Sequence, residues 1–296
     1  MSRITQRTIQ DATLANLQRN MTAMNKLQET LSSGRTINRP SDDPTGTVSS
    51  LQVRADMRAA AQHTRNADDA IGWLTASDTA LQTSLTDLRV VRNRVLQGLN
   101  SGAINDDARS ALSTEINEIR ASLVSQANTT YLGRPIFAGT TGGATAIDPT
   151  TYQFADTGTG TVQRVVSDGA SVRVDIDGAA TFGEGETSVF AVLDRLSAAI
   201  TAKDDDALRA GLAELDGHVT TITTTLTDVG ARYSRVNSAQ AALTDRTLEL
   251  KSRLSGIEDA DLPATIVALQ MQETVYQAAL GATAKVLQPS LMDFLS

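Results

Sequence analysis

The chain has no cysteine, only two histidines and one tryptophan, and an aromatic share of 3%. Without cysteine there is no disulfide framework, no thiolate zinc site and no cysteine nucleophile. His63 and His218 each fall in a helical stretch with no second ligand residue nearby, which indicates neither a metal site nor acid–base chemistry. With so few rings, the core is expected from Leu, Val, Ile, Met and Ala, and such a chain leans towards long packed helices. No run of about 18 apolar residues is present to span a bilayer. The first thirty residues also lack the apolar h-region of a cleaved secretory signal. A basic excess is missing too: the formal charge is −8, which argues against nucleic acid as a general partner.

What is present is a folded-protein composition, 296 residues with 41% hydrophobic and 20% charged, too apolar to be disordered throughout. The charge is unevenly spread. Residues 1–65 carry nine Arg/Lys against five Asp/Glu, and residues 240–296 carry four against seven. Ends of opposite sign can attract each other within one chain or between chains.

Helical periodicity is strong at both ends. Leu14, Leu17, Met21, Met24 and Leu31 alternate spacings of three and four with Gln28 as the polar member, the pattern of a helix seeking a partner helix. Gly34 is the expected left-handed stop. Asp43-Pro44 then reads as an N-cap followed by proline at the first helical position. A long helical segment resumes from Leu51 to Leu99, and Asn105-Asp106-Asp107 caps another. Between Gly133 and Gly185 the pattern changes to glycine, threonine and short alternating runs. Thr161–Val166 and Ser171–Ile176 are expected strands joined at Ser167-Asp168-Gly169, with a second turn at Asp177-Gly178. From Val219 to Ile257 the 3-4 spacing returns, Ser255-Gly256 and Pro263 mark a break, and a last segment carries Ile266, Leu269, Tyr276, Leu280, Leu287, Leu291 and Phe294, with Pro289 ending or kinking it.

The expected fold is therefore mainly α: a long antiparallel helical bundle or coiled coil built from both termini, with a small β-rich central insert. The segments are expected as residues 1–40, an N-terminal helix; 41–137 and 188–257, the two parts of a helical rod; 138–187, the β-rich insert; and 258–296, a C-terminal helix. The outermost stripes have no evident partner, and helices with narrow seams are marginal alone.

No catalytic constellation emerges. There is no Gly-x-Ser-x-Gly elbow, Gly158–Gln163 fails the dinucleotide fingerprint at its third glycine, and Gly133–Gly139 lacks the lysine of a phosphate loop. Asp175, Asp177 and Glu186 fall at calcium-loop positions, but Ala179 and Ala180 stand where a ligand and the turn glycine belong. No catalytic residue, metal or cofactor is expected, and the acids read as turn residues.

Three stretches are more than generic. Ile37-Asn38-Arg39-Pro40-Ser41-Asp42-Asp43-Pro44, after Leu31-Ser32-Ser33-Gly34-Arg35, resembles the N-terminal signature of the bacterial flagellin superfamily, in the form found in hook–filament junction proteins. Tyr131-Leu132-Gly133-Arg134-Pro135-Ile136-Phe137-Ala138-Gly139 is similar to that family's Gly-x-x-Ile-Phe-x-Gly region. The end, from Ile257-Glu258-Asp259-Ala260-Asp261-Leu262 through Tyr276–Leu280 to Ser290–Leu295, is similar as well. The resemblance covers residues 1–140 and 185–296. It implies a structural flagellar subunit, exported through the type III apparatus without a cleaved signal. Such a subunit assembles with copies of itself in a ring-like helical zone, between the first hook-associated protein and flagellin, after handling by an export chaperone. It implies an assembly interface along Leu14, Leu17, Met21, Met24, Leu31, Leu269, Tyr276, Leu280, Leu287, Leu291 and Phe294, and a corner or contact loop at Ile37–Pro44. It implies as well that residues 1–40 and 258–296 are assembly helices, the first flexible when free, and that the insert, 138–187, lies outside. A flagellin-like filament subunit is the alternative. A binding module on a coiled-coil stalk would want a larger, pocketed central domain, and a catalytic insert would want ligand residues that are missing.

Overall fold

The computed structural model describes residues 2–100, 105–140, 143, 145–155 and 160–287, with the side chains of 2–7, 9, 10 and 285–287 left out. Seven α-helices carry the described chain: α1 (Ser2–Ser33), α2 (Pro44–Leu99), α3 (Asp106–Ala127), α4 (Gly178–Phe182), α5 (Val189–Ala202), α6 (Asp205–Glu258) and α7 (Leu262–Leu287). Two antiparallel hairpins interrupt them, β1 (Thr130–Tyr131) with β2 (Arg134–Pro135), and β3 (Gln163–Ser167) with β4 (Ala170–Arg173). The mainly α reading holds, with only small sheets.

Local chemistry sets the helix ends. Gly34 stops α1 at φ 69°, where a Cβ would be strained, and its N–H reaches Thr30 O at 2.9 Å. Asp43 caps α2 through Oδ1 to the N–H groups of Thr45 and Gly46 at 3.0 and 2.9 Å. Asn105 caps α3, Asp204 caps α6 and Asp261 caps α7 in the same way, each satisfying donors that a helix start leaves open. The expected break at Ser255-Gly256 does not occur. α6 runs on to Glu258 and the chain turns at Asp259–Asp261, with Pro263 in the first turn of α7, where its missing N–H costs nothing. Asp177-Gly178 is likewise not a hairpin turn: Asp177 caps α4 by accepting from Ala180 N–H at 2.9 Å.

The chain divides into two compact units: unit 1, Met1–Arg58 with Thr247–Ser296, and unit 2, Ala59–Arg246. In unit 2, α2 and α6 run antiparallel, tied by Arg92–Asp216 near one end and Gln240–Asp68 near the other. Buried residues recur at intervals of seven on both: Ala60, Ala67, Leu74, Leu81, Leu88 and Val95 on α2, and Leu208, Leu215, Ile222, Val229, Val236 and Leu243 on α6. That is the repeat of a coiled-coil seam. α3 and α5 pack antiparallel beside them, joined by Ser113–Ser197 at 2.7 Å and by the Arg120–Asp194 ion pair.

The core of unit 2 departs from an all-aliphatic one. Four of the five phenylalanines, Phe137, Phe154, Phe182 and Phe190, form one cluster with centroids 5.2–6.4 Å apart, and Tyr152 stacks on Phe190 at 5.4 Å. Phe137 follows β2 and Phe190 belongs to α5, so the central segment closes its core with rings lent by its flanks. A segment this short holds little core alone. The β3–β4 hairpin turns at Asp168-Gly169, Gly169 having φ 79°, and it docks on α2 through Arg164–Asp69 and through Asn66 donating to Val165 O at 2.8 Å.

Candidate functional site

Unit 1 contains an antiparallel pair, α1 with α7, and the corner that joins them to the rest of the unit. On α1, Thr13, Leu17, Asn20, Met24, Leu27 and Leu31 are half-buried, and on α7, Thr265, Leu269, Gln272, Tyr276, Ala279 and Thr283. Both sets repeat at three and four, the knob positions of a two-helix seam. One polar rung crosses it: Gln272 Nε2 donates to Asn20 O and Oδ1, each at 3.3 Å. A polar rung costs stability and pins register.

The structure places the sequence-marked stripe on two faces. Leu17, Met24 and Leu31 turn into the pair, together with Leu27, which the stripe had not included. Leu14 and Met21 turn outward, 57% and 50% exposed. Leu269 and Tyr276 lie in the seam, Leu280 is 43% exposed, and the side chain of Leu287, with all of Leu291 and Phe294, lies outside the described residues. The outward row is longer than the sequence stripe indicated: Leu262, Ile266, Val267, Met271 and Val275 on α7 are also exposed. The period mixes the two faces because positions 14, 17, 21 and 24 of one helix span both edges of a narrow apolar band. Only the position of α7 decides which edge is covered.

At the corner, Glu258 gathers the partners. Arg54 grips its carboxylate with two prongs, Nε to Oε1 at 3.1 Å and Nη2 to Oε2 at 2.6 Å, and Arg35 stands 3.8 Å from Oε2. Thr36 donates its N–H to Glu258 O at 2.7 Å, Ala260 donates to Gly34 O at 2.9 Å, and Arg35 bridges Asp259 as a one-residue antiparallel pair. The Glu258 side chain is nearly buried. Its pKa is held below the ordinary glutamate range chiefly by the Arg54 hydrogen bonds, which outweigh burial, with help from Ser50 and the charge of Arg35. The opposite charges of the two chain ends thus meet inside one chain, at this corner.

The motif loop wraps the same corner. Asp42 accepts from the N–H groups of Asn38 and Arg39 at 3.2 and 2.8 Å and pairs with Lys26 at 3.4 Å. The Arg39 N–H holds the Asp42 carboxyl below its usual range against desolvation, the next largest influence, with further help from the Asn38 N–H and Lys26. Asn38 Nδ2 reaches Arg35 O, and Arg39 pairs with Glu29 at 3.4 Å. Ile37 is half-buried, whereas Asn38, Arg39, Pro40, Ser41, Asp43 and Pro44 are exposed. Gly46 closes the arrangement, since a Cβ there would meet Asp43 Oδ2 at 2.4 Å and Ile37 Cδ1 at 2.6 Å. Beside it, Asp43, Gly46, Val53, Asp56, Arg253 and Ile257 line an open groove.

Among the described residues no three His, Asp or Glu side chains are grouped to hold a metal ion. Asp175, which falls at a calcium-loop position but reads as a turn acid, is buried and engaged by Arg173 and by the Val162 N–H at 2.7 Å. No described helix is long and apolar enough to cross a membrane. The site is a surface: an apolar row on a helix pair whose corner is locked by one carboxylate. Sequence reasoning had placed Glu258 only within a motif, because its partners lie some two hundred positions away.

Comparison with known proteins fits that description. The bacterial flagellin N-terminal helical region matches residues 4–141, and the bacterial flagellin C-terminal helical region matches residues 212–295. Flagellar hook-associated protein 3 of Escherichia coli strain K12 is 26% identical over 287 residues, covering 87% of this chain and 88% of its own. Among solved structures, Bacillus cereus FlgL superposes with a TM-score of 0.61 at 22% identity, covering 69% of this chain and 99% of its own. The flagellar junction protein FlgL from Legionella pneumophila gives 0.57 at 13% identity, covering 72% and 100%. At those identities the structures speak for the fold. With the two helical regions together spanning about three-quarters of its length, the chain belongs to the bacterial flagellin family.

Proposed function

We propose that this chain is a structural subunit of the bacterial flagellum that joins the hook to the filament. The observation that carries the proposal is the apolar row left open on unit 1, Met21 on α1 with Ile266, Val267, Met271 and Val275 on α7. Singly exposed apolar residues mean little, but Val267, Met271 and Val275 recur every four residues along α7, and an apolar row of that kind marks an interface. The sequence motifs and the likeness to hook-associated protein 3 over 87% of the chain support the junction over a generic filament role.

The mechanism is coupled ordering and polymerisation. The α1–α7 seam is half-buried, so the pair on its own recovers only part of the cost of fixing two long helices. Burying the open row against neighbours contributes up to about 1.5–3 kcal/mol per large apolar side chain, less the cost of immobilisation. Copies of the same chain, the first hook-associated protein below and flagellin above would supply those neighbours. Before assembly, an export chaperone would cover the row during passage through the type III apparatus. The Glu258 corner would fix the direction in which the pair leaves the loop.

The test is electron microscopy of a strain lacking this chain, with flagellin assayed in the medium. Hooks without filaments and flagellin shed outside are the expected result. Bare hooks with no flagellin in the medium would make the chain the filament subunit itself. Normal filaments would overturn the assignment.

A further inference from the structure

Unit 2 presents one large apolar side chain that its own fold does not use. The β1–β2 hairpin turns through Leu132 at φ 49° and Gly133 at φ 77°, a two-residue turn whose central positions are both left-handed. Glycine adopts that conformation freely and asparagine tolerates it, whereas a leucine is strained there. The same Leu132 is 80% exposed, more than any other large hydrophobic residue described. Strain and an exposed apolar side chain at one position favour a function over a folding role. The turn is held firmly from beneath. Tyr131 packs on Trp73 with centroids 5.8 Å apart, and a Cβ on Gly72 would lie 2.2 Å from the Tyr131 hydroxyl. Arg134, just past the turn, places its guanidinium 5.9 Å from the Trp73 ring centroid.

A recess of matching character lies between α2 and α6 of the same unit. Leu74, Thr75, Asp78, Val229, Gly230 and Tyr233 line a groove of about 260 Å³. Gly230 keeps it open, for nothing lies within 4 Å of where its Cβ would be. The groove offers apolar walls to one aliphatic side chain and a carboxylate, Asp78, at its edge. Projection and recess are therefore complementary in charge as well as in apolar character, with Arg134 beside the one and Asp78 beside the other.

Leu132 is 80% exposed and so does not fill the groove of its own chain. A projection and a recess that meet between copies head to tail build rings and helical arrays, whereas a closed two-fold pair brings the same patch of each copy together. We propose that Leu132 of one copy seats in the Val229–Gly230–Tyr233 groove of the next copy, with Arg134 facing Asp78. This contact rests on the assembly role proposed above and adds a specific lateral joint to it.

The absence of native cysteine makes a direct test available. Hook–filament particles are isolated from strains whose only copy is Leu132→Cys, Gly230→Cys or the double variant, and oxidised mildly. The double variant should give a ladder of reducible multimers and each single variant only monomer. Monomer alone from the double variant, in particles that retain filaments, would overturn the contact while leaving the junction role intact. Cross-linking by Leu132→Cys alone would overturn it as well, by making the contact reciprocal. Particles that lack the protein altogether would overturn the junction role and the contact with it. A second variant separates recognition from folding. Leu132→Asn suits the left-handed turn, so the melting temperature of the purified protein should hold or rise while filaments shear from hooks several-fold more readily. Unchanged shear resistance would overturn the proposal.

Discussion

The two units bury their large side chains to different degrees. In unit 2, Trp73, Phe137, Phe182, Phe190, Leu74, Leu81 and Leu193 are sealed from solvent, and the seven-residue repeat of α2 meets that of α6 without gaps in burial. In unit 1, the α1–α7 seam is half-buried throughout and apolar residues remain on its outer face. Both regions are long helices with apolar residues at three and four, so periodicity alone does not separate a finished core from an unfinished one. The difference is the number of layers. α2 and α6 have α3, α5 and the aromatic cluster packed against them, while α1 and α7 have each other. A helix pair covers one side of each member and leaves the rest to whatever comes next.

The largest effect that would sharpen this contrast is in unit 2. Phe190→Ala should cost about 3–5 kcal/mol, since it empties the ring cluster, read by denaturant unfolding followed through Trp73, the sole tryptophan. A loss under 1 kcal/mol would mean that unit 2 is not the self-sufficient part. Next, Glu258→Gln should destabilise the unit 1 corner by about 1–3 kcal/mol, because the Arg54 prongs lose the charge they hold. Hydrogen exchange at Thr36 and Ala260 would report it. The pH dependence follows the same group. The folded Glu258 is more acidic than an unfolded glutamate of pKa near 4.5, so its stabilisation is complete above that value. It is lost as the pH falls through the lower folded value. Protection at the corner that stays flat through that acid range would rule out this carboxylate as the lock.

Smaller still is Gly46→Ala, which should cost about 1 kcal/mol by pushing the Asp43 cap off the start of α2. Near-zero change would show that the cap can shift without penalty. Least of all on folding is Met271→Asp on the outer row, within about 0.5 kcal/mol in the free protein, yet it should abolish filament attachment in a complementation assay. Motile cells with normal filaments would remove the outer row from the interface.

Much of the scaffold was legible one residue at a time. Gly34, Asp43-Pro44 and Asn105 declare helix ends because stopping and capping depend on the local backbone, and Asp168-Gly169 declares its hairpin for the same reason. Where such signals misled, a tertiary term outweighed them. Gly256 stays helical because the turn is made three residues later by the Thr36 and Gly34 pairings. Asp177-Gly178 starts a helix that carries Phe182 into the ring cluster. The candidate surface was half legible: the sequence marked apolar stripes at both ends, but it did not sort Leu17 and Met24, which face α7, from Leu14 and Met21, which do not.

What the sequence by itself determined is the helical character, the caps, the small central insert, the opposite charge of the two ends and the family. These are properties of neighbours along the chain, written in residue type and spacing. Only the tertiary structure decided that Glu258 is the carboxylate where those charges meet, that four scattered phenylalanines share one core, and which edge of each terminal stripe stays open. Those outcomes depend on which residues, far apart in sequence, come within a few ångströms, and burial and hydrogen bonding have no value until that is fixed.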